Sequence, residues 1–358
     1  MSFHDLALFI AFIAIVAVLL YRDRRKVKLQ GIMFIRRTKK GIEIIHSITD
    51  SAPRFWNFLG VLGIIISVPA LIIGSAFLAF NGAAIAKGEV REGVRLVLPA
   101  PTGEANLQPG FLFLPWWVWL IGILSVVVPH EIFHGIMCRT EKIRIKSVGW
   151  VLLAIIPGAF VEPDEKQLKR AKRSVKLKVY AAGSFANFLL AGIMLLVMLL
   201  SFNALFQPDG APFVANESSV FSKNLSGILL SIDGKSIASS NEFRQILSSY
   251  SPGDSVRVSV TEGVRVVPKV STTSFMSPVL VADGTNVTEY TVVLKENPES
   301  EGRPYLGVAV PQIDSVRNSG FVPLYSLFFW IFVLNLGIGI VNILPIKPLD
   351  GGLFFEEI

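Results

Sequence analysis

His130 and His134 lie four residues apart with Glu131 beside the first, in the pattern His-Glu-x-x-His. On a helix, positions i and i+4 share one face, so both imidazoles can bind one metal ion. Glu131 is placed to take a proton from a water on that ion. Zinc lowers the pKa of such a water to about 7, which makes a nucleophile at neutral pH. With 4 histidines and 17 glutamates in 358 residues, the pattern arises by chance in roughly 0.2% of such chains. Zinc needs a third protein ligand. His4, at the N-terminus, and His46, in a basic segment, read as surface or interface residues, which leaves a carboxylate. Asp350 is the strongest candidate. It follows an apolar run, Pro345 and Pro348 exclude a regular helix around it, and Gly351 and Gly352 allow a close backbone approach. Glu162, Asp164 and Glu165 are weaker candidates, because they stand in a charged, solvated run. The single cysteine, Cys138, excludes an intrachain disulfide and a thiolate metal cluster.

The elements that must hold these residues are membrane spans. Hydrophobic residues make up 52% of the chain and charged residues 17%, with a mean hydropathy of +0.56, against about 25% charged in soluble proteins. That excludes a soluble globule, a disordered chain and a nucleic-acid binder, despite a net charge of +7. Five apolar runs, at 6–21, 56–80, 111–136, 177–206 and 321–344, reach or approach the ~20 residues that cross a bilayer. The basic cluster Arg22, Arg24, Arg25 and Lys26 follows the first run instead of preceding it. The first run is therefore an uncleaved span with its N-terminus outside.

Segments 22–55 and 139–178 hold 10 and 11 Lys and Arg against 3 and 4 acidic residues. Segments 81–110 and 207–318 hold 3 and 9 against 3 and 12. The positive-inside rule puts the first two in the cytosol and the last two outside, in agreement with five alternating crossings. Trp116, Trp117 and Trp119 mark an interfacial belt. His130 is 14 residues on, about 21 Å along a helix. In a core about 30 Å thick, the metal then lies about 10 Å from the cytosolic edge. Pro129 deletes a helix hydrogen bond just before His130, which kinks the helix or admits water.

Residues 207–318 are a different material. A strand ending in Asp233-Gly234, an amphipathic segment from Glu242 to Leu247, Pro252-Gly253-Asp254 and the alternating strand from Ser255 to Val260 follow in order. Further strands are expected at 290–294 and 305–310. This small β-rich insert resembles a PDZ domain. Sequons at Asn216, Asn224 and Asn286 fall on the side read as external.

The chain as a whole resembles the site-2 protease family of intramembrane zinc metalloproteases. The resemblance rests on His130 through Gly135 and on Asn342 through Gly352, which is similar to the family's Asn-x-x-Pro…Asp-Gly signature. Residues 156–164 look like the family's segment between its third and fourth spans. Ala181 through Asn187 is similar to its small-residue fourth-span motif, with Ser184 where many members have proline. The resemblance implies that His130, His134 and Asp350 ligate Zn2+ and that Glu131 is the general base. It implies that Asn342 hydrogen-bonds the developing oxyanion, the other reading being helix–helix hydrogen bonding. It also implies that Gly158, Ala159, Phe160 and Val161 form a membrane-embedded strand that pairs with an unwound substrate; a connecting loop after Pro157 is the other reading. Gly183 and Asn187 read as packing residues.

The expected fold is an α-helical polytopic membrane protein of about five to six transmembrane helices, with a membrane-embedded β segment and the PDZ-like insert. Its expected parts are residues 1–110, two spans with a cytosolic and an external loop; 111–206, the first half of a protease core; 207–318, the external insert; and 319–358, the second half of the core. The last part reads as truncated, because family members continue into further membrane segments. The expected function is an intramembrane zinc endopeptidase that cuts transmembrane segments of other membrane proteins within the lipid bilayer. Such a substrate helix must first unwind, since its peptide groups are paired internally. The insert would bind a peptide or a newly made C-terminus. The alternatives are a non-catalytic membrane receptor or chaperone, and a metal or proton transporter. A transporter would spread its polar residues over several spans, whereas this chain concentrates them.

Overall fold

The computed structural model describes the chain except residues 1–2, 23–24, 90–92, 94, 101–105, 154–155, 216–218, 220, 222–225, 263, 272–275, 283–286, 312 and 318–319. The chain divides into two compact units, Met1–Met194 with Trp330–Ile358, and Leu195–Phe329.

The first unit carries helices α1 (Phe3–Arg22), α2 (Lys40–Ser51), α3 (Pro53–Ala86), α4 (Trp116–Thr140) and α5 (Glu165–Arg170). It also holds most of α6 (Arg173–Leu205), most of α8 (Val322–Ile343) and all of α9 (Asp350–Glu356). Among the described residues, α3, α4, α6 and α8 are long and apolar enough to cross a membrane, and α1 contains the shorter apolar stretch Phe9–Val18. On α3, Ile72, Ile73, Phe77 and Phe80 are 58–77% exposed. Such a row of large apolar side chains is tolerable facing lipid, not water.

Strands β1 (Val27–Gln30), β2 (Met33–Thr38), β6 (Ile145–Leu153) and β7 (Ile156–Pro163) form one antiparallel sheet in the order β1-β2-β6-β7. Gly158 through Val161 thus lie in a strand, where a connecting loop after Pro157 was the other reading. A second sheet, in the order β3-β5-β4, joins β3 (Leu96–Ala100), β4 (Asn106–Gln108) and β5 (Phe111–Pro115). This corrects the expected third span. Residues 111–115 pair in parallel with β3, and the helix begins only at Trp116. Pro115 is extended (φ −47°, ψ 131°) and holds the preceding residue extended as well, so the helix cannot start earlier. Trp119 Nε1 donates to Val97 O at 3.1 Å and ties α4 to this sheet. α4 then runs through Pro129 to Thr140 without interruption.

The second unit is mainly β. Its strands are β8 (Ala211–Ala215), β9 (Ser226–Ile232), β10 (Lys235–Ser236), β11 (Ser255–Thr261), β12 (Val264–Lys269), β13 (Ser277–Ala282), β14 (Val287–Val293), β15 (Lys295–Asn297), β16 (Ser300–Tyr305), β17 (Val308–Ala309) and β18 (Asp314–Arg317). They pair in the orders β14-β11-β9-β8-β17, with β10 on β9, then β12-β13-β18 and β15-β16. The alternation in β11 turns Val256, Val258 and Val260 into a core with Phe213, Leu229 and Ile232. Helix α7 (Ser240–Leu247) covers that core with Phe243. It starts in a capping box: Ser239 Oγ accepts from Glu242 N–H at 3.2 Å, and Glu242 Oε2 accepts from Ala238 N–H at 2.8 Å. The strand expected at 305–310 is two strands, because Gly307 takes φ 71° between Tyr305 and Val308. The end of α6 and the start of α8 meet β12, β13 and β18 in a second cluster around Phe202, Phe206 and Tyr325. The sequons Asn216-Glu217-Ser218, Asn224-Leu225-Ser226 and Asn286-Val287-Thr288 have their asparagines outside the described residues.

Candidate metal and catalytic site

α4 presents His130 and His134 on one face, with ring centroids 4.8 Å apart. The last turns of the chain bring in the third group. α8 ends at Ile343, and Pro345 and Pro348 carry the backbone around to Asp350, the first residue of α9. A Cβ at Gly351 would stand 2.0 Å from the carbonyl carbon of Ile343, so only glycine allows this close return. α9 is tied to the start of α6 by Lys176 Nζ to Glu357 Oε1 at 2.8 Å and by Arg173 to the Glu357 carbonyl.

Asp350 Oδ2 then lies 3.1 Å from His130 Nε2 and 3.0 Å from His134 Nε2, and the two Nε2 atoms are 3.2 Å apart. Ligands held 2.0–2.1 Å from a tetrahedral zinc ion are separated by about 3.3 Å. The trio has nearly that spacing. Its chemistry also fits. His134 Nδ1 lies 2.8 Å from the Val179 carbonyl, an acceptor only, so this nitrogen carries the proton and Nε2 of the neutral ring is a lone pair. Two nitrogen lone pairs and a carboxylate oxygen that converge within 3.2 Å repel one another unless a cation lies between them.

Two residues of α6 complete the cradle, and sequence reasoning had assigned both to packing. Gly183 faces the imidazoles. A Cβ there would stand 2.3 Å from His130 Cε1, 2.4 Å from His130 Nε2 and 2.5 Å from His134 Nε2. The missing side chain keeps the metal-facing side of the rings open. Asn187 is wholly buried, with its amide nitrogen 3.3 Å from His130 Nδ1 and its Oδ1 without a partner among the described residues. With Nε2 of His130 on a metal, Nδ1 carries a proton and needs an acceptor. Turning the terminal amide by 180° puts Oδ1 against that proton and satisfies both groups. The Gly-x-x-x-Asn spacing, one helical turn, was the available signal for both residues.

Glu131, next to His130 on α4, reaches β7. Its Oε2 accepts from Val161 N–H at 2.8 Å. Val161 is thus beside α4, and Phe160 and Gly158 alternate with Val161 and Ala159 in the ladder with β6. Asn342 is half-buried in the last turn of α8 and makes no hydrogen bond to the trio among the described residues. Of the weaker carboxylates, Glu162 accepts from Ser147, Asp164 caps α5, and Glu165 pairs with Lys169. None of the three, and not His46, joins the metal-binding group.

The model of peptidase family M50 matches residues 118–358. An uncharacterized protein of Methanocaldococcus jannaschii is 25% identical over 344 residues, which cover 94% of this chain and 81% of that protein.

Proposed function

The chain belongs to peptidase family M50, the site-2 proteases, and from that premise we propose that it is an intramembrane zinc endopeptidase that cuts transmembrane segments of other membrane proteins. The observation that carries this reading is the convergence of His130 Nε2, His134 Nε2 and Asp350 Oδ2, all electron-pair donors, beside the carboxylate of Glu131. A zinc ion held there would supply Lewis-acid activation of water and of the scissile carbonyl.

The chain's own residues do the rest. Val179 and Asn187 fix the two imidazole tautomers. Glu131 receives the proton of the attacking water and passes it to the leaving nitrogen. Asn342 donates its amide N–H to the oxygen that gains negative charge. Gly158, Ala159, Phe160 and Val161, on β7, take an unwound substrate segment as an added strand. Cleavage on the cytosolic side of the membrane, and a PDZ-like role for residues 207–318 in binding a peptide or a new C-terminus outside, belong to the same proposal. The basic segments 22–55 and 139–178 support that orientation.

The purified protein is expected to hold about one zinc ion and to cleave a single-span substrate in detergent or vesicles. Glu131→Gln is expected to abolish cleavage and keep the metal. Full activity in Glu131→Gln removes the base assignment, and absence of both zinc and cleavage favours a non-catalytic receptor.

A further inference from the structure

The strand nearest the site has an edge with little to offer. β7 ends the order β1-β2-β6-β7, so one of its sides faces no strand among the described residues. In an antiparallel pair, the backbone groups of successive residues point alternately toward the partner and away from it. Val161 settles the phase, because its N–H goes to Glu131 and so points away from β6. Ala159 shares that phase. So do Pro157 and Pro163, which have no N–H to give. The free edge can donate two hydrogen bonds, from Ala159 and Val161, and the second is already held by Glu131 Oε2.

We propose that a substrate strand pairing with β7 takes the Val161 N–H from Glu131, so that the general base is freed only when a substrate backbone lies on the edge. This rests on the protease reading above. A substrate carbonyl opposite Val161 competes for the N–H that the carboxylate now occupies. One hydrogen bond replaces another, so nothing is left unpaired in a dry site. The released Oε2 stays beside the strand whose peptide bond it must serve. Pro157 and Pro163 offer no donor at either end, so the substrate carbonyls that take an N–H from this edge lie opposite Ala159 and Val161.

Val161→Pro tests this. Proline already stands in the same outward phase at 157 and 163, and the β6 ladder draws on Gly158, Phe160 and Glu162, so the strand itself should persist. Two substrates are compared on the zinc-loaded protein. One is a single-span model peptide with a central Gly-Gly break, long enough to cover both rungs. The other is a blocked dialanine peptide, too short to do so. The variant is expected to cleave the long substrate about fivefold more slowly, the worth of one net hydrogen bond, and the short one faster than the unaltered protein. Ala159→Pro is expected to slow the long substrate without speeding the short one. If Val161→Pro slows both, or leaves the short one unchanged, the contact is a fixed clamp and the proposal fails.

A second measurement needs no turnover. The Val161 amide is expected to exchange with solvent faster in Glu131→Ala, and binding of the long peptide to that variant should restore its protection. No change on removing Glu131, or no protection on binding, overturns the proposal. If the unaltered protein cleaves neither peptide, the protease reading fails, and the exchange result still decides whether a bound strand takes this N–H.

Discussion

The two units bury different things. In the β unit, Phe213, Leu229, Ile232 and Val258 are at most 1% exposed and wholly apolar. Its buried Asp209 and Ser315 are answered locally, by Arg317 Nε at 3.0 Å and by the Gly210 carbonyl at 2.8 Å; Ser201 Oγ, Thr261 Oγ1 and Tyr325 Oη are not, among the described residues. In the helical unit, His130 on α4, Ser184 and Asn187 on α6 and Asn335 on α8 are buried. Ser184 Oγ, Asn187 Oδ1 and Asn335 Oδ1 have no partner among the described residues. An unanswered buried polar group costs roughly 1–3 kcal/mol. The β unit closes its buried carboxylate off with an ion pair, whereas Asn187, set against the His130 ring, keeps an oxygen without a partner among the described residues.

The sharpest test of that contrast is Gly183→Ala. The change removes no ligand and improves helix propensity by about 1 kcal/mol. Its methyl would stand 2.4 Å from His130 Nε2. Zinc measured by mass spectrometry should fall from about one per chain to near zero, while thermal unfolding stays cooperative; retained zinc would show that this space is not the metal's. Leu229→Ala in the opposite unit should lower stability by about 2–5 kcal/mol, read from denaturant unfolding, with the zinc content unchanged. Loss of zinc in that variant would break the comparison by coupling the two interiors. Asn187→Leu should weaken zinc binding about 10- to 100-fold in chelator competition. Asn187→Asp, which keeps an acceptor for His130 Nδ1, should recover most of it.

The smallest effect belongs to neither interior. The Asp164 carboxyl is held below its ordinary range by the backbone N–H groups of Gln167 and Lys166 and by Lys146 and Arg144. A depressed folded pKa means that the cap on α5 contributes fully above the usual carboxylate pKa of about 4 and is lost as pH falls below it. Amide exchange across Glu165–Arg170 should quicken through that range, and Asp164→Asn should flatten the response.

What was legible in the sequence was local chemistry. His130, Glu131 and His134 announce themselves by spacing, and Asp350 follows once histidines are too few to supply a third ligand. The amphipathic segment from Glu242 to Leu247 and the alternating valines of β11 placed elements of the β unit for the same reason. Non-local pairing was not legible. The basic segment 27–38 reads as a topology signal, yet it forms β1 and β2. Its partner is 120 residues away, with Met33 opposite Leu153, and nothing in either stretch names the other. Asn187 and Gly183 were read as packing because an amide or a glycine in a span serves helix contacts just as well. Only the position of His130 Nδ1 and of the two Nε2 atoms separates the readings. Residues 111–115 misled because a short apolar strand that leads into a span continues its hydropathy.

The prolines that bracket β7 have one more consequence. An open sheet edge in a bilayer is a hazard, since any chain with exposed backbone groups can stick to it. Here the edge is cut to two donors, Ala159 and Val161. Each N–H given to a visitor is worth only about 0.5–1.5 kcal/mol net, so the two together orient a strand more than they hold it. An intact helix, with its peptide groups already paired, has nothing to offer such an edge.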